Sequence, residues 1–136
     1  MEVSDTKSAA EAARSLSPEM QQDFAVVVPA FNEAPVIPDL IRVLKAAFEE
    51  YGLDGEVILV DDGSGDGTGE LAEREGVGWE KLRVLRHRTN MGKTEALVTG
   101  AAATKARWLV LFDADLQHSV DEIPRFLARL ADGWDI

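Results

Sequence analysis

The stretch RWLVLFDADLQH, residues 107–118, carries five apolar side chains, WLVLF at 108–112, straight into Asp113 and places a second carboxylate, Asp115, two positions on. A short unbroken apolar run bounded by polar residues predicts a strand buried on both faces. In open parallel sheets, ligands gather at the carboxyl ends of the strands. Asp113 and Asp115 are therefore expected at the mouth of a cleft. Two carboxylates that close repel each other and raise each other's pKa unless something positive lies between them. A divalent cation is the natural partner, because hard cations take oxygen ligands. Gln117 offers a neutral oxygen at the same rim.

The chain before this stretch alternates in type. FAVVV at 24–28, closed by Pro29, reads as a central strand with proline at its end, where the missing N–H costs nothing. After the loop PAFNEAP, the residues Val36, Ile37, Leu40, Ile41, Leu44, Ala47 and Phe48 recur at helical spacing. Pro35 and Pro38 belong in that helix's first turn, and Gly52 ends it. EVILV at 56–60 is a second strand, and DDGSGDGTGE a tight turn into a helix over about 68–75. A short third strand is expected at 82–85, then the basic loop RHRTNMG and a helix over 93–106. The small residues of that helix, Ala96, Gly100, Ala101 and Ala103, let it lie close against a sheet.

After residue 118, Ser119 and Glu122 have capping-box spacing. Ile123, Phe126, Leu127 and Leu130 form the buried face of a last helix, Gly133 stops it, and 134–136 reads as the first step of another strand. Residues 1–22 carry little aliphatic bulk. They are expected to form a flexible extension, with a helical turn or two in 8–16, that is dispensable for the chemistry. The folded domain is then 23–136, and an α/β sheet stopping three residues into a strand is expected to continue beyond Ile136. Strand–helix alternation predicts a mostly parallel sheet with right-handed crossovers and helices on both faces.

The 136 residues, 46% hydrophobic and 29% charged, suit one soluble domain with a real core. The net charge of −11 argues against a nucleic-acid duplex as partner, since such binding is driven by phosphate neutralisation. An acidic protein that binds a phosphorylated ligand needs a metal to bridge the charges. The chain has no cysteine, which excludes disulfides, thiolate chemistry and cysteine-type zinc sites. Its apolar runs are too short to span a bilayer, and the polar start MEVSDTKSAAEAARS is not a secretory signal. A cytoplasmic location is the default expectation.

Three strand ends, PAFNE, VDDGS and DADLQH, bring carboxylates to one place. One such Asp alone is usually a turn or cap residue, and two acidic doublets with a third motif reverse those odds. Two nucleotide motifs fail. Gly63, Gly65, Gly67 and Gly69 alternate and do not make G-x-G-x-x-G, and the P-loop tail Gly92-Lys93-Thr94 has His87 where the first glycine must stand. An apolar strand followed by Asp-x-Asp is also similar to haloacid-dehalogenase-type phosphatases, in which Asp113 would be the nucleophile. That family carries a Thr where this chain has Gln117 and places the motif on its first strand.

Together VVVPAFNEAPVI, VDDGSGDGT, NMGKTEAL and FDADLQHSVDEIP resemble the family 2 glycosyltransferases of GT-A fold, close to the dolichyl- or polyprenyl-phosphate sugar synthase branch that includes dolichyl-phosphate mannose synthase. The resemblance covers 24–136. It implies a Rossmann-like nucleotide-sugar-binding domain that moves a sugar from a UDP or GDP donor to an acceptor, a polyprenyl phosphate in that branch. Peripheral contact with the inner membrane face goes with such an acceptor. The resemblance also implies that Pro29, Phe31 and Glu33 line the base and ribose pocket. Val60 and Asp62 would contact the nucleoside, Asp62 by accepting hydrogen bonds from the base. Asp113, Ala114, Asp115 and Gln117 would hold the ribose, the metal and the diphosphate, with Asp113, Asp115 and Gln117 as ligands of Mg²⁺ or Mn²⁺. Such a cation stabilises the diphosphate leaving group as a Lewis acid.

Other positions carry two readings each. Asp61 matches a motif position or fixes the turn. Lys93 approaches the diphosphate or is a solvated loop lysine. His118 touches the acceptor side or caps the next turn. Arg83, Arg86 and Arg88 read as a solvent-exposed patch balancing the acidic surface, and Asn90 and Gly92 as loop-shaping residues. Thr94 stands where the family has a second glycine, and Ser119 where the branch often has proline. The general base that activates the acceptor is expected beyond Ile136. The alternative from another class is a nucleotide-binding module without catalysis.

Overall fold

The structure, a computed structural model, describes residues 8–115 and 119–133. Its frame is β1 (Phe24–Ala30), whose seven residues FAVVVPA are all buried. β-Branched side chains suit a strand covered on both faces. β1 pairs in parallel with β2 (Glu56–Asp61) on one side, Val27 opposite Ile58, and with β4 (Trp108–Leu111) on the other, Val26 opposite Val110. β3 (Leu82–Arg86) pairs in parallel with β2, so the sheet of the described residues runs β3-β2-β1-β4.

Helices α1 (Ala9–Arg14) and α2 (Pro18–Gln22) precede β1. A short 3₁₀ turn (Ala34–Val36) leads into α3 (Ile37–Tyr51); then follow α4 (Thr68–Glu75), α5 (Lys93–Ala102) and α6 (Glu122–Ala131). Two cores result. Phe24, Val26, Val28, Val57, Leu59 and Val110 point to the face covered by α3 and α6, meeting Leu40, Leu44, Ile123 and Leu127. Each such fully buried side chain stabilises the fold by about 1.5–3 kcal/mol relative to exposure. Ala25, Ile58 and Val60 point the other way, against Ala96 of α5. The small-residue surface of α5 does what its composition predicts. A methyl group at Gly100 would stand 2.4 Å from Val27 Cγ1, so only hydrogen fits between helix and strand.

Four expectations change. The stretch 8–22 is not loose: Ala12, Leu16 and Met20 lie in the core beside Phe24, and α1 packs on α6 and α3. The signals were there at helical spacing, Ala9, Ala12, Ala13 and Leu16, with a capping box between Ser8 and Glu11. Alanine buries too little to register as aliphatic bulk. Among the described residues β4 is covered on one face only; Leu109 and Leu111 are 40% and 57% exposed, because β4 is the last strand of the described sheet and α5 covers β1 and β2.

The helix expected over 93–106 ends at Ala102. There the Ala103 amide turns to Gly100 O, and the Thr104 hydroxyl both donates to Glu56 and accepts from the Ala106 amide. At α6 no capping box forms. Ser119 Oγ accepts from the Asp121 amide at 3.1 Å, and Glu122 pairs with Arg125 instead. The strand expected at 134–136 lies outside the described residues.

Candidate functional site

Three loops at the carboxyl ends of β1, β2 and β4, with the start of α5, enclose a cavity of about 320 Å³. Pro29, Ala30, Phe31 and Glu33 line it from β1, Asp62 from β2, Asp113, Ala114 and Asp115 from β4, and Lys93 from the first position of α5.

The loops after β1 and β2 hold each other in place. Asn32, with φ 53, donates its amide to Ser64 Oγ at 2.8 Å, and its side-chain oxygen accepts from the Gly65 amide at 2.9 Å. The Glu33 amide donates to Thr68 Oγ1 at 3.0 Å and the Ala34 amide to Asp66 Oδ2 at 3.1 Å. The Thr68 hydroxyl is the main influence that holds the Asp66 carboxyl below its ordinary pKa; burial opposes it and the Ala34 and Thr68 amides assist. Asp61 takes the turn reading. One of its oxygens accepts from the Ser64 amide and the other from the Gly69 amide, each at 3.1 Å, which caps the start of α4.

Asp62 is 3% exposed and committed to the loop 87–92. It accepts from the Met91 and Gly92 amides, each at 2.9 Å, from Asn90 Nδ2 at 3.1 Å and from His87 Nδ1 at 2.8 Å. The far nitrogen of His87 meets the Thr99 hydroxyl at 2.7 Å. With a carboxylate at Nδ1, the ring donates from that nitrogen, and Nε2 pairs with the Thr99 hydroxyl. Burial pushes the Asp62 pKa up, and the bonds from Met91, His87 and Gly92 overcome it, so the carboxyl sits below its usual range. A carboxylate has about four lone-pair sites, and four protein donors occupy them here. The loop comes this near because Gly63 has φ 74 and no side chain: a Cβ there would lie 2.3 Å from the Thr89 carbonyl carbon.

On the other wall Lys93 Nζ stands 2.7 Å from Asp113 Oδ1. Among the described residues the cavity lining carries four carboxylates, Glu33, Asp62, Asp113 and Asp115, against this one ammonium. Glu33 registers the crowding: burial, then Asp115 and Asp66, raise its pKa above the ordinary carboxylate value. The donor set suits a hard cation. Among the described residues no three His, Cys, Asp or Glu side chains converge on one point. Among the described residues the protein would thus offer Asp113 and Asp115, with ligand oxygens and water filling out the shell, as Mg²⁺ sites at phosphates usually do. An ammonium already sits where positive charge is wanted.

Of the residues implied by the sequence resemblance, Pro29, Phe31, Glu33, Asp62, Asp113, Ala114 and Asp115 line the cavity. Val60 does not. It is fully buried, and the alternation of β2 turns it into the cluster under α5, though its register partner is Pro29. Gln117 and His118 lie outside the described residues. Lys93, left open by its spacing, joins the lining. No sequence motif marks His87 and Thr99, a pair that meets only when α5 docks. Arg83 and Arg86 are surface residues paired with Glu56, and with Glu70 and Glu73.

The sequence matches the family model Glycosyl transferase family 2 over residues 25–136. It is 39% identical over 116 residues to an undecaprenyl-phosphate 4-deoxy-4-formamido-L-arabinose transferase of Pseudomonas aeruginosa, a match covering 82% of this chain and 33% of that one. The fold is that of GT-A glycosyltransferases. The mannosyltransferase PcManGT of Pyrobaculum calidifontis, solved with GDP-Man and Mn²⁺, superposes with a TM-score of 0.70 at 26% identity, over 91% of this chain and 39% of that one. Glucosyl-3-phosphoglycerate synthase of Mycobacterium tuberculosis, solved with Mn²⁺, UDP and glucosyl-3-phosphoglycerate, also gives a TM-score of 0.70 at 26% identity, over 92% and 44%. The chain spans about a third of the length of the curated relatives it matches.

Proposed function

The chain belongs to glycosyl transferase family 2, and on that premise we propose that its cavity holds a nucleoside diphosphate sugar for transfer to a polyprenyl phosphate. The observation that carries this reading is the cavity itself: Asp113 and Asp115 share it with Glu33 and Asp62, and among the described residues of the lining Lys93 is the one cation that offsets them. A diphosphate entering alone would meet like charge. A bound Mg²⁺ or Mn²⁺ would supply the Lewis acidity that stabilises the departing diphosphate.

Asp113 and Asp115 would hold that cation, and Gln117 would add a neutral oxygen. Phe31, 45% exposed at the cavity wall, presents a ring on which a nucleobase can lie. Pro29 and Glu33 would face the base and ribose, and Val60 acts from beneath by backing Pro29. Ala114, held in the core between the two aspartates, would form the floor on which the ribose lies. Asp62 orders the wall opposite Asp113 through its bonds to the 87–92 loop. The polyprenyl phosphate acceptor is supported by the relatives' names. Such an acceptor places the reaction at the cytoplasmic face of a membrane; no helix of the described residues is long and apolar enough to cross one.

Calorimetric titration with UDP and GDP, with and without Mn²⁺, tests the reading. Binding is expected only in the presence of the cation, and Asp115→Ala is expected to remove that dependence while leaving the fold intact. Metal-independent binding, or an Asp115→Ala variant indistinguishable from the wild type in Mn²⁺, would sink it.

A further inference from the structure

We infer that Lys93 and the divalent cation compete for the same oxygen of Asp113, so that the cation's arrival hands the Lys93 ammonium to the diphosphate. This rests on the functional reading above and adds a coupling to it. Lys93 Nζ lies 2.7 Å from Asp113 Oδ1, and both residues line the cavity, so a cation drawn to that oxygen meets the ammonium already there. The position is unfavourable for a lysine on local grounds. Lys93 is the first residue of α5, where the helix dipole repels positive charge. What keeps it facing the cavity is the carboxylate ahead of it and the anchored backbone behind it, where the Gly92 amide is bonded to Asp62.

The ammonium is also easy to move. The Lys93 side chain is 62% exposed and Asp113 31%, so the pair is screened and worth little by itself. Mg²⁺ binds oxygen ligands at about 2.0–2.1 Å, closer than an ammonium and with twice the charge. Lys93 then turns on its flexible stem, and an incoming diphosphate is the anion within its reach. Without metal, Lys93 relieves the repulsion among the carboxylates. With metal but no nucleotide, the freed ammonium loses its partner. With both, each charge is matched. Cation and diphosphate should therefore bind far better together than either does alone.

The test measures Mn²⁺ binding to this chain by calorimetry and by the electron paramagnetic resonance signal of free Mn²⁺, first alone and then with saturating GDP or UDP. Lys93→Met removes the competitor, so Mn²⁺ alone is expected to bind about fivefold tighter, the scale of one released surface ion pair. The enhancement of Mn²⁺ binding by nucleotide is expected to shrink in the same variant. Lys93→Arg keeps the competing charge and should stay near wild type in both measurements. Loss of a merely structural residue would not strengthen metal binding. If Lys93→Met binds Mn²⁺ alone no better than wild type while wild type still binds Mn²⁺ with nucleotide, the exchange is overturned and the functional reading stands. If neither protein binds Mn²⁺ with GDP or UDP, both fall.

Discussion

The carboxylate of Asp62 and the backbone amide of Gly92 lie 2.9 Å apart, and this bond ties the end of β2 to the start of α5. The Met91 amide and the His87 ring share the same carboxylate, and His87 passes the connection to Thr99 on α5. One buried acid thus sets where Lys93 begins its helix, and Lys93 reaches across to Asp113. The two walls of the cavity are linked through Asp62.

Asp62→Ala leaves the Met91 and Gly92 amides and the His87 ring without their acceptor. It is expected to destabilise the protein by about 2–4 kcal/mol, because stranded buried donors keep their desolvation cost. Asp62→Asn retains one accepting oxygen and should lose less. Urea denaturation measures both, and an Asp62→Ala variant as stable as wild type would show that the loop is held by something else.

Acid should unfold the protein partly through Asp62 and Asp66. Both carboxyls have folded-state pKa values below the ordinary aspartate value of 3.8. Their stabilisation is complete above pH 3.8 and is lost as the pH falls through the lower folded values. Glu33 works in the opposite sense. Its raised pKa makes the ionised form a burden on the fold, relieved as the pH falls through that raised value. The urea midpoint of wild type should therefore drop more steeply below pH 4 than that of Asp62→Asn/Asp66→Asn. Parallel curves would count against this account.

Gly100→Ala should destabilise even though alanine is the better helix former. The gain in propensity is about 1 kcal/mol at most. The added methyl would stand 2.4 Å from Val27 Cγ1, and overpacking of this kind costs about 1–3 kcal/mol. Val27→Ala in the same protein should recover part of the loss. Thermal melts of the two single variants and the double variant read the coupling directly.

Tyr51 is the chain's one tyrosine, and its hydroxyl donates to Asp121 Oδ1 at 2.6 Å, joining the end of α3 to the start of α6. That bond, then burial and the Asp121 charge, push its pKa from 10.0 to about 12. Ultraviolet titration should show tyrosinate appearing near pH 12, and Asp121→Asn should bring it back toward 10. Ionisation of the wild type near pH 10 would mean that the bond does not persist in solution.

Period and punctuation were enough to place the strands and helices from Phe24 onward, because each rests on local physics. A β-branched run closed by Pro29, a 3.6-residue apolar spacing from Val36 to Phe48 and glycine-rich turns report their conformations within a few residues of chain. The same local rule brought Asp113 and Asp115 to a strand end and hence into the cavity. It misjudged what depends on neighbours. WLVL looks doubly buried by composition, yet whether Leu109 and Leu111 are covered depends on where α5 lies. Alanines at 9, 12 and 13 look uncommitted until α1 packs on α6.

At the site the division is sharper. Residue type and spacing could nominate Asp62 and Lys93 but not give them roles, since a carboxylate's role depends on which donors reach it. Tertiary structure decided that. Gly63 lets the 87–92 loop approach, the loop delivers its donors to Asp62, and Lys93 is left facing Asp113 from residues 20 positions away in the chain. No local pattern records a contact between residues so far apart, because their meeting is a property of how α5 docks on the sheet.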